Sequence, residues 1–314
     1  MRILENFKKI YRKLIAFNNI IYHYLRFYKY SGTNFEKING YNFEILKVAH
    51  ALEKSIFMPE QKDESGWENA KILFNLLNIS SIKKERSESY FIGVNVYNKF
   101  IEHKKSNGIV KDIKKIDLQS ENFLESGKIK IDEQGFKSLQ NPEKFFLSRY
   151  SFRDFKSKII NDITVKRILN LASKTPSTCN RQHWFTYNIN NKEIIKKALS
   201  LQSGNRGFTE YIHNLFIITS DLSAFKPGQE VYQHWIDGGM YAMSVMYAIH
   251  SLGLVSCPLN WSTTPRIDRE IRKKISIKKS HSIIMMIAYG EPKNNIACVS
   301  QRKSIENFYK VINE

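Results

Sequence analysis

Residues 148–155 read SRYSFRDF, with Arg149 and Arg153 four apart around Ser151. Two guanidiniums and a hydroxyl converging on one spot suit an anionic, planar ligand. The guanidinium is a rigid fork that grips phosphate or carboxylate through paired N–H donors. A solvated helix start is the plainer alternative for the same residues. Three later segments carry comparable groups. In TPSTCNRQHW (175–184), Pro176 and Ser177 end a helix, and Asn180, Gln182 and Trp184 lead into a strand. GNRGF (204–208) offers Asn205 and Arg206 just ahead of another strand. A helix from Asp237 is followed by the loop GLVSCPLNW (253–261).

Several standard constellations are absent from the 314 residues. There is no GxGxxG after a strand, no GxxxxGK[ST], no GxSxG and no HExxH. The commonest dinucleotide folds, P-loop enzymes, α/β-hydrolases and zincins are thereby set aside. The eight histidines show no metal spacing, and His183, His234 and His281 read as satisfied core or surface residues. Cys179, Cys257 and Cys298 are odd in number and far apart, so neither a disulfide framework nor a zinc site is indicated. A reducing, cytoplasmic setting is the expectation, and no metal is expected. The opening residues lack the apolar core and cleavage site of a secretory signal, and no run of about 18 apolar residues predicts a spanning helix.

The net charge is +19, with the excess spread over both halves of the chain. Lys83–Lys84, Lys104–Lys105 and RKK at 272–274 read as solvated faces. Such a distribution argues against nucleic acid, which is met by a stripe or a recognisable module. It is compatible with an anionic small ligand or an anionic membrane surface.

These residues need elements to position them. Ile3, Phe7, Ile10, Leu14, Phe17, Ile21, Leu25 and Tyr28 recur at three- and four-residue steps, predicting a helix over the first 30 residues with a basic side. Such a helix either packs on the protein's own body or lies on an anionic membrane. A second helix carries Phe43 to Ile56 and stops before Pro59, and a third covers 67–78. Residues 80–147 read as mixed, with short helical patches. From Ser148 the texture changes. A helix starts near Asn161 or Asp162 as cap, apolar runs at 184–189, 214–221 and 282–290 predict strands, and Gly253 ends the helix from Asp237. The expected class is α+β, with boundaries at 1–147 and 148–314.

The four segments, in this order, resemble the nitroreductase family of FMN-dependent oxidoreductases: an RxSxR-type start, a PSxxNxQPW-like segment, a D-x-G helix of small residues ending in a GL loop, and a basic tail. The resemblance covers roughly residues 148–310. It implies a central sheet flanked by helices, a homodimer and bound FMN, with NAD(P)H as hydride donor. By the same resemblance Arg149 and Ser151 hold the phosphate and ribityl end, and Arg153 lies at the pyrimidine edge of the ring. Pro176, Ser177, Asn180 and Gln182 complete the site, with Pro176, Ser177 and Asn180 coming from a second protomer. Asn205 serves the ribityl chain or ring, and Pro258, Leu259 and Asn260 form the loop that offers a backbone N–H to flavin N5. Arg302 and Lys303 are the basic pair for phosphate. The chain departs from the pattern twice: His183 stands for a proline, and Phe208 stands where a second ring-edge cation is usual, with Arg206 as its substitute.

HALEKSIFMPE (50–60) and GWENAKILFNLL (66–77) are similar to a helical extension on nitroreductase-like proteins of polysaccharide gene clusters. His50, Glu53 and Lys54 are its most recognisable residues; one polar helix turn is their plain reading, a lid the functional one. The resemblance implies an FMN-dependent oxidoreductase passing electrons by ping-pong to a small nitro, quinone, enone or biosynthetic acceptor. The rival is a flavin-binding or flavin-lost accessory protein of an envelope polysaccharide system, recruited to the membrane through residues 1–30.

Overall fold

A computed structural model describes residues 2–32, 38–57, 65–82, 86–109, 115–117, 139–297, 299–300 and 302–313. Pro59, Lys83–Lys84 and Cys298 lie outside the described residues. The chain runs α1 (Arg2–Tyr30), α2 (Ile38–Phe57), α3 (Trp67–Ile82), α4 (Glu88–Ser106), α5 (Pro142–Leu147), α6 (Asp162–Ala172), β1 (Trp184–Ile189), α7 (Lys192–Leu199), β2 (Leu215–Asp221), α8 (Gln233–Ser251), β3 (Val255–Asn260), α9 (Pro265–Ile275) and β4 (His281–Gly290).

Among the described residues the sheet has the order β1-β2-β4-β3, every neighbouring pair antiparallel. β2 reads as an unbroken apolar run because both faces of the sheet are covered. Phe216 and Ile218 pack with α6 and α8 through Val165, Ile168, Tyr241, Val245 and Ile249. The alternate residues Leu215 and Ile217 face α7 and α9 through Ile195, Leu199 and Ile271. Gly238 permits the close approach of α8: a Cβ there would lie 2.7 Å from Cγ1 of Ile284 on β4. The Asn161 side chain caps α6, accepting from the Thr164 N–H at 2.8 Å.

Two sequence expectations are corrected. GLVSCPLNW is not a loop, because residues 255–260 form β3 and pair along β4. β3 tolerates Pro258 because it is an edge strand, and a proline facing outward there removes no ladder bond. Residues 80–147, read as short patches, contain the 19-residue α4. Ser87 caps it, and Tyr90, Val94, Tyr97 and Ile101 are buried along its inner face. Gly93 interrupts the sequence pattern for a packing reason: a Cβ there would sit 2.6 Å from Cγ2 of Ile45.

The N-terminal helices do two different things. α2, α3 and α4 close a core of their own around Ile45, Leu52, Leu73, Val94 and Phe100, and α2 also packs on residues 178–180 and 222–224. α1 instead docks on the sheet region. Its Phe27 is buried with Leu222 and Phe225, and Tyr22 donates to Asp268 of α9 at 2.6 Å.

Candidate functional site at the β3 edge

SRYSFRDF is extended rather than the start of a helix. Ser151 bridges Ser256 in parallel, the Phe152 N–H donates to the Ser256 carbonyl at 3.0 Å, and the Lys156 N–H to the Glu291 carbonyl at 3.0 Å. Phe155 anchors the segment in the core. In an extended chain residues two apart share a face, so Arg149, Ser151 and Arg153 turn the same way. Arg149 is half-buried and Arg153 exposed. Neither guanidinium has an ion pair or hydrogen bond among the described residues. Both act on one neighbour, the Cys257 thiol on β3: burial pushes its pKa up, and the charges of Arg153 and Arg149 pull the other way. Two free cations therefore converge on one strand edge.

A cleft of about 440 Å³ opens there, lined by Ser151, Arg153, Arg206, Phe208 and Tyr211 among others. Arg206 stands in it beside Arg153, while Phe208 is a core residue whose ring joins the α7–α9 cluster. A second cleft of about 240 Å³ lies alongside, lined by Arg149, Tyr150, His250 and Ser256. The His250 Nε2 sits 3.0 Å from the Ser148 hydroxyl.

Further along β3 the backbone alternates. The Ser256 carbonyl turns outward to Phe152, so Pro258 and Asn260 also face out and Leu259 faces β4. Leu259 is a core residue. Pro258 has no N–H, which leaves Asn260 as the residue of this trio with an outward N–H. Its carbonyl accepts from Gln202 Nε2 at 3.0 Å. Gln202, which sequence reasoning passed over, also accepts from the Gly204 N–H at 2.7 Å and from Asn205 Nδ2 at 2.9 Å. Asn205 is buried, and its carboxamide is taken up by Leu199, Gln202 and Thr209 within the loop. No periodicity marks either role.

The segment of Pro176 to Gln182 is a tight, internally bonded loop. Cys179, Asn180 and Gln182 have φ of 52°, 50° and 49°, a region costly for non-glycine residues and held only where the surroundings enforce it. The Ser177 hydroxyl accepts from the Gln182 N–H at 3.0 Å. Arg181 is 2% exposed and forks onto Glu230 at 2.9 and 2.7 Å. Asp237 accepts from the Thr178 N–H at 2.8 Å and from Gln233 at 2.6 Å, and lies 2.9 Å from His183 Nε2. Burial raises the Asp237 pKa, but the bonds from His183 and Thr178 outweigh it and hold the carboxyl below its usual range. His183 is thus a buried structural partner.

One chain does not bring these groups together. β1 and β3 are opposite edges, three strand spacings or roughly 14 Å apart, and Trp184 is level with Ser282 whereas Ser256 is level with Tyr289, a further offset of roughly 23 Å. Pro176, Ser177, Asn180 and Gln182 therefore sit at the far corner from Arg149, Ser151 and Arg153. Arg302 donates to the Ser300 carbonyl at 2.6 Å and Lys303 is exposed; neither lines the two clefts.

Residues 147–205 match the Nitroreductase family. A nitroreductase-like protein from Streptococcus mutans superimposes with a TM-score of 0.50 at 18% identity, covering 56% of this chain and 100% of its own. The fold is nitroreductase-like. An FMN-dependent nitroreductase from Clostridium difficile is 19% identical with a TM-score of 0.46, over 54% of this chain and 98% of its own. No curated protein matches the chain. The matched residues begin at 147, just ahead of SRYSFRDF, and the helices α1 to α4 precede them.

Proposed function

We infer that the protein is an FMN-dependent oxidoreductase whose flavin lies along the β3 edge. The observation that carries this reading is the pair of guanidiniums, Arg149 and Arg153, which open onto two adjoining clefts along β3, with Ser151 beside Arg153, and have no ion pair among the described residues. Arg149 suits the charge of a phosphomonoester, and Arg153 suits the pyrimidine edge of a flavin, where negative charge develops on reduction. Arg206 adds a third positive group to the cleft, where the buried Phe208 cannot. When bound, FMN supplies an N5 that accepts hydride from NAD(P)H and returns it to a small nitro, quinone, enone or biosynthetic acceptor in two half-reactions.

The residues of this chain then have distinct tasks. Arg149 and Ser151 hold the phosphate and ribityl end. Arg153 and Arg206 provide fixed positive charge for the pyrimidine edge, a stabilisation worth most where no reorganisation is needed. The outward N–H of Asn260 is the donor that β3 retains for the ring, and Pro258 shapes that edge. Arg302 and Lys303 on the tail would add to the phosphate site. Pro176, Ser177, Asn180 and Gln182 reach the site from a second copy, since they stand at the opposite corner of their own sheet. Exposed Ile236 and Met240 on α8 give the homodimer an apolar contact face.

The visible spectrum of the purified protein, taken before and after anaerobic NADH or NADPH, tests the reading. A flavin spectrum that bleaches supports it. Colourless protein that cannot be reconstituted with FMN overturns it. A bound flavin that neither nicotinamide bleaches favours the accessory role in an envelope polysaccharide system, for which the exposed apolar side of α1 is the specific support.

A further inference from the structure

α1 is apolar on the side that turns away from the body. Its inward face includes Tyr22, Arg26 and Phe27, which bond or pack onto α9, the 279–281 backbone and Phe225. Opposite them Ile10, Leu14, Phe17, Ile21, Tyr24 and Tyr28 recur at alternating four- and three-residue steps and are 38–62% exposed. At 3.6 residues per turn these six make one stripe. No helix among the described residues is long and apolar enough to cross a membrane, so α1 has the character of a helix that lies in an interface.

Beside the stripe, Leu25 and Lys29 lead into a cleft of about 460 Å³ between α1 and α9. Its lining holds Arg26, Arg269, Arg272, Lys273 and Lys279 and contains no carboxylate. Asp268, just behind it, is already taken: Arg272 binds it at 2.7 Å, Arg26 at 3.4 Å, Tyr22 at 2.6 Å and Trp261 at 3.0 Å. Lys29, Arg269, Lys273 and Lys279 have no ion pair among the described residues.

We propose that α1 and the α1–α9 cleft form a docking site for an anionic lipid surface, the stripe entering the interface and the cleft receiving a headgroup phosphate. The geometry suits this. The stripe faces away from the body, so insertion need not disturb the docked side of the helix, and the cations open next to it at headgroup depth. Charge selects the occupant. α1 carries seven basic residues against Glu5 alone, so a second α1 laid along the stripe brings like charges together, whereas anionic lipid complements them. This site does not depend on the flavin reading.

Flotation of the full chain with vesicles tests it. The protein is expected to float with phosphatidylcholine vesicles containing phosphatidylglycerol and to stay behind with phosphatidylcholine alone. Lys29→Glu, Lys273→Glu and Lys279→Glu together should lower vesicle affinity by about a hundredfold or more, near fivefold per cation lost. Leu14→Ser with Phe17→Ser, at exposed positions that leave circular dichroism unchanged, should abolish flotation. Equal flotation with both lipids, or none with either, overturns the proposal. So does a dimer that the Leu14→Ser, Phe17→Ser variant dissociates with no effect on vesicles, which would make a second copy the occupant. Duplex DNA displacing the protein from vesicles would assign the cations to nucleic acid instead.

Discussion

At the entry to β1, Arg181 is 2% exposed and spends its guanidinium on Glu230 and the Ala224 carbonyl, while Asp237 collects bonds from His183, Thr178 and Gln233. At the β3 edge, Arg149 and Arg153 face two adjoining clefts and have no ion pair or hydrogen bond among the described residues. Both corners belong to one sheet and both carry arginine, yet one is closed and the other open. A buried ion that is already paired has no capacity for a ligand, and removing its partner leaves an uncompensated charge. A solvent-facing pair of cations without an ion partner adds little to folding and retains its capacity for an anion. The contrast separates residues that build the molecule from residues that serve a ligand, and it does so without reference to family.

The largest effect should come from breaking the closed corner. Arg181→Ala removes the fork from Glu230 and the bond to Ala224, and urea unfolding should register a loss of about 3 kcal/mol. The left-handed turn at Cys179–Asn180 loses its anchor at the same time. A loss under about 0.5 kcal/mol, the range of an exposed ion pair, would erase the distinction between the corners.

A smaller effect follows from His234, one helical turn before Asp237. Burial, then the nearby His183 and His23, push its pKa down from 6.5 to about 3. Its ring stacks on Phe27 of α1 at 5.6 Å. The folded state therefore keeps it neutral, while the unfolded chain takes up a proton below pH 6.5. Stability is complete above that value and is lost as pH falls toward 3, by at most about 1.4 kcal/mol per pH unit. His234→Leu should flatten the melting temperature between pH 6.5 and 5, a window over which wild type loses about 1.6 kcal/mol more than the variant. A parallel pH profile for the two proteins would show that the ring is not held neutral by its surroundings.

How much of this was legible follows physical lines. The helix caps and three apolar strands were readable because spacing and residue type are local properties, whereas the plain reading of SRYSFRDF as a helix start gives way to its bridge with Ser256. β3 was not, since Pro258 reads as a breaker unless one knows that it lies at an edge facing outward. α4 was hidden by Gly93, whose reason is the closeness of Ile45, a contact between distant residues. The internal use of Asn205 by Gln202 and Thr209 has no sequence signal, because a carboxamide serves a loop or a ligand equally well. Nor does sequence order reveal that Pro176 to Gln182 and Arg149 to Arg153 occupy opposite corners. That follows from strand order, which places β1 and β3 at the two edges.

The central claim is that the open corner is a flavin phosphate site, and FMN titration monitored by flavin fluorescence tests it most directly. Arg149→Gln with Arg153→Gln should weaken FMN binding by about a hundredfold, two charge-assisted contacts at roughly 1.5 kcal/mol each. The urea midpoint should stay that of wild type, since neither side chain has an ion pair or hydrogen bond to lose among the described residues. Equal FMN affinity in the variant, or no FMN binding by the wild-type chain, would contradict the account.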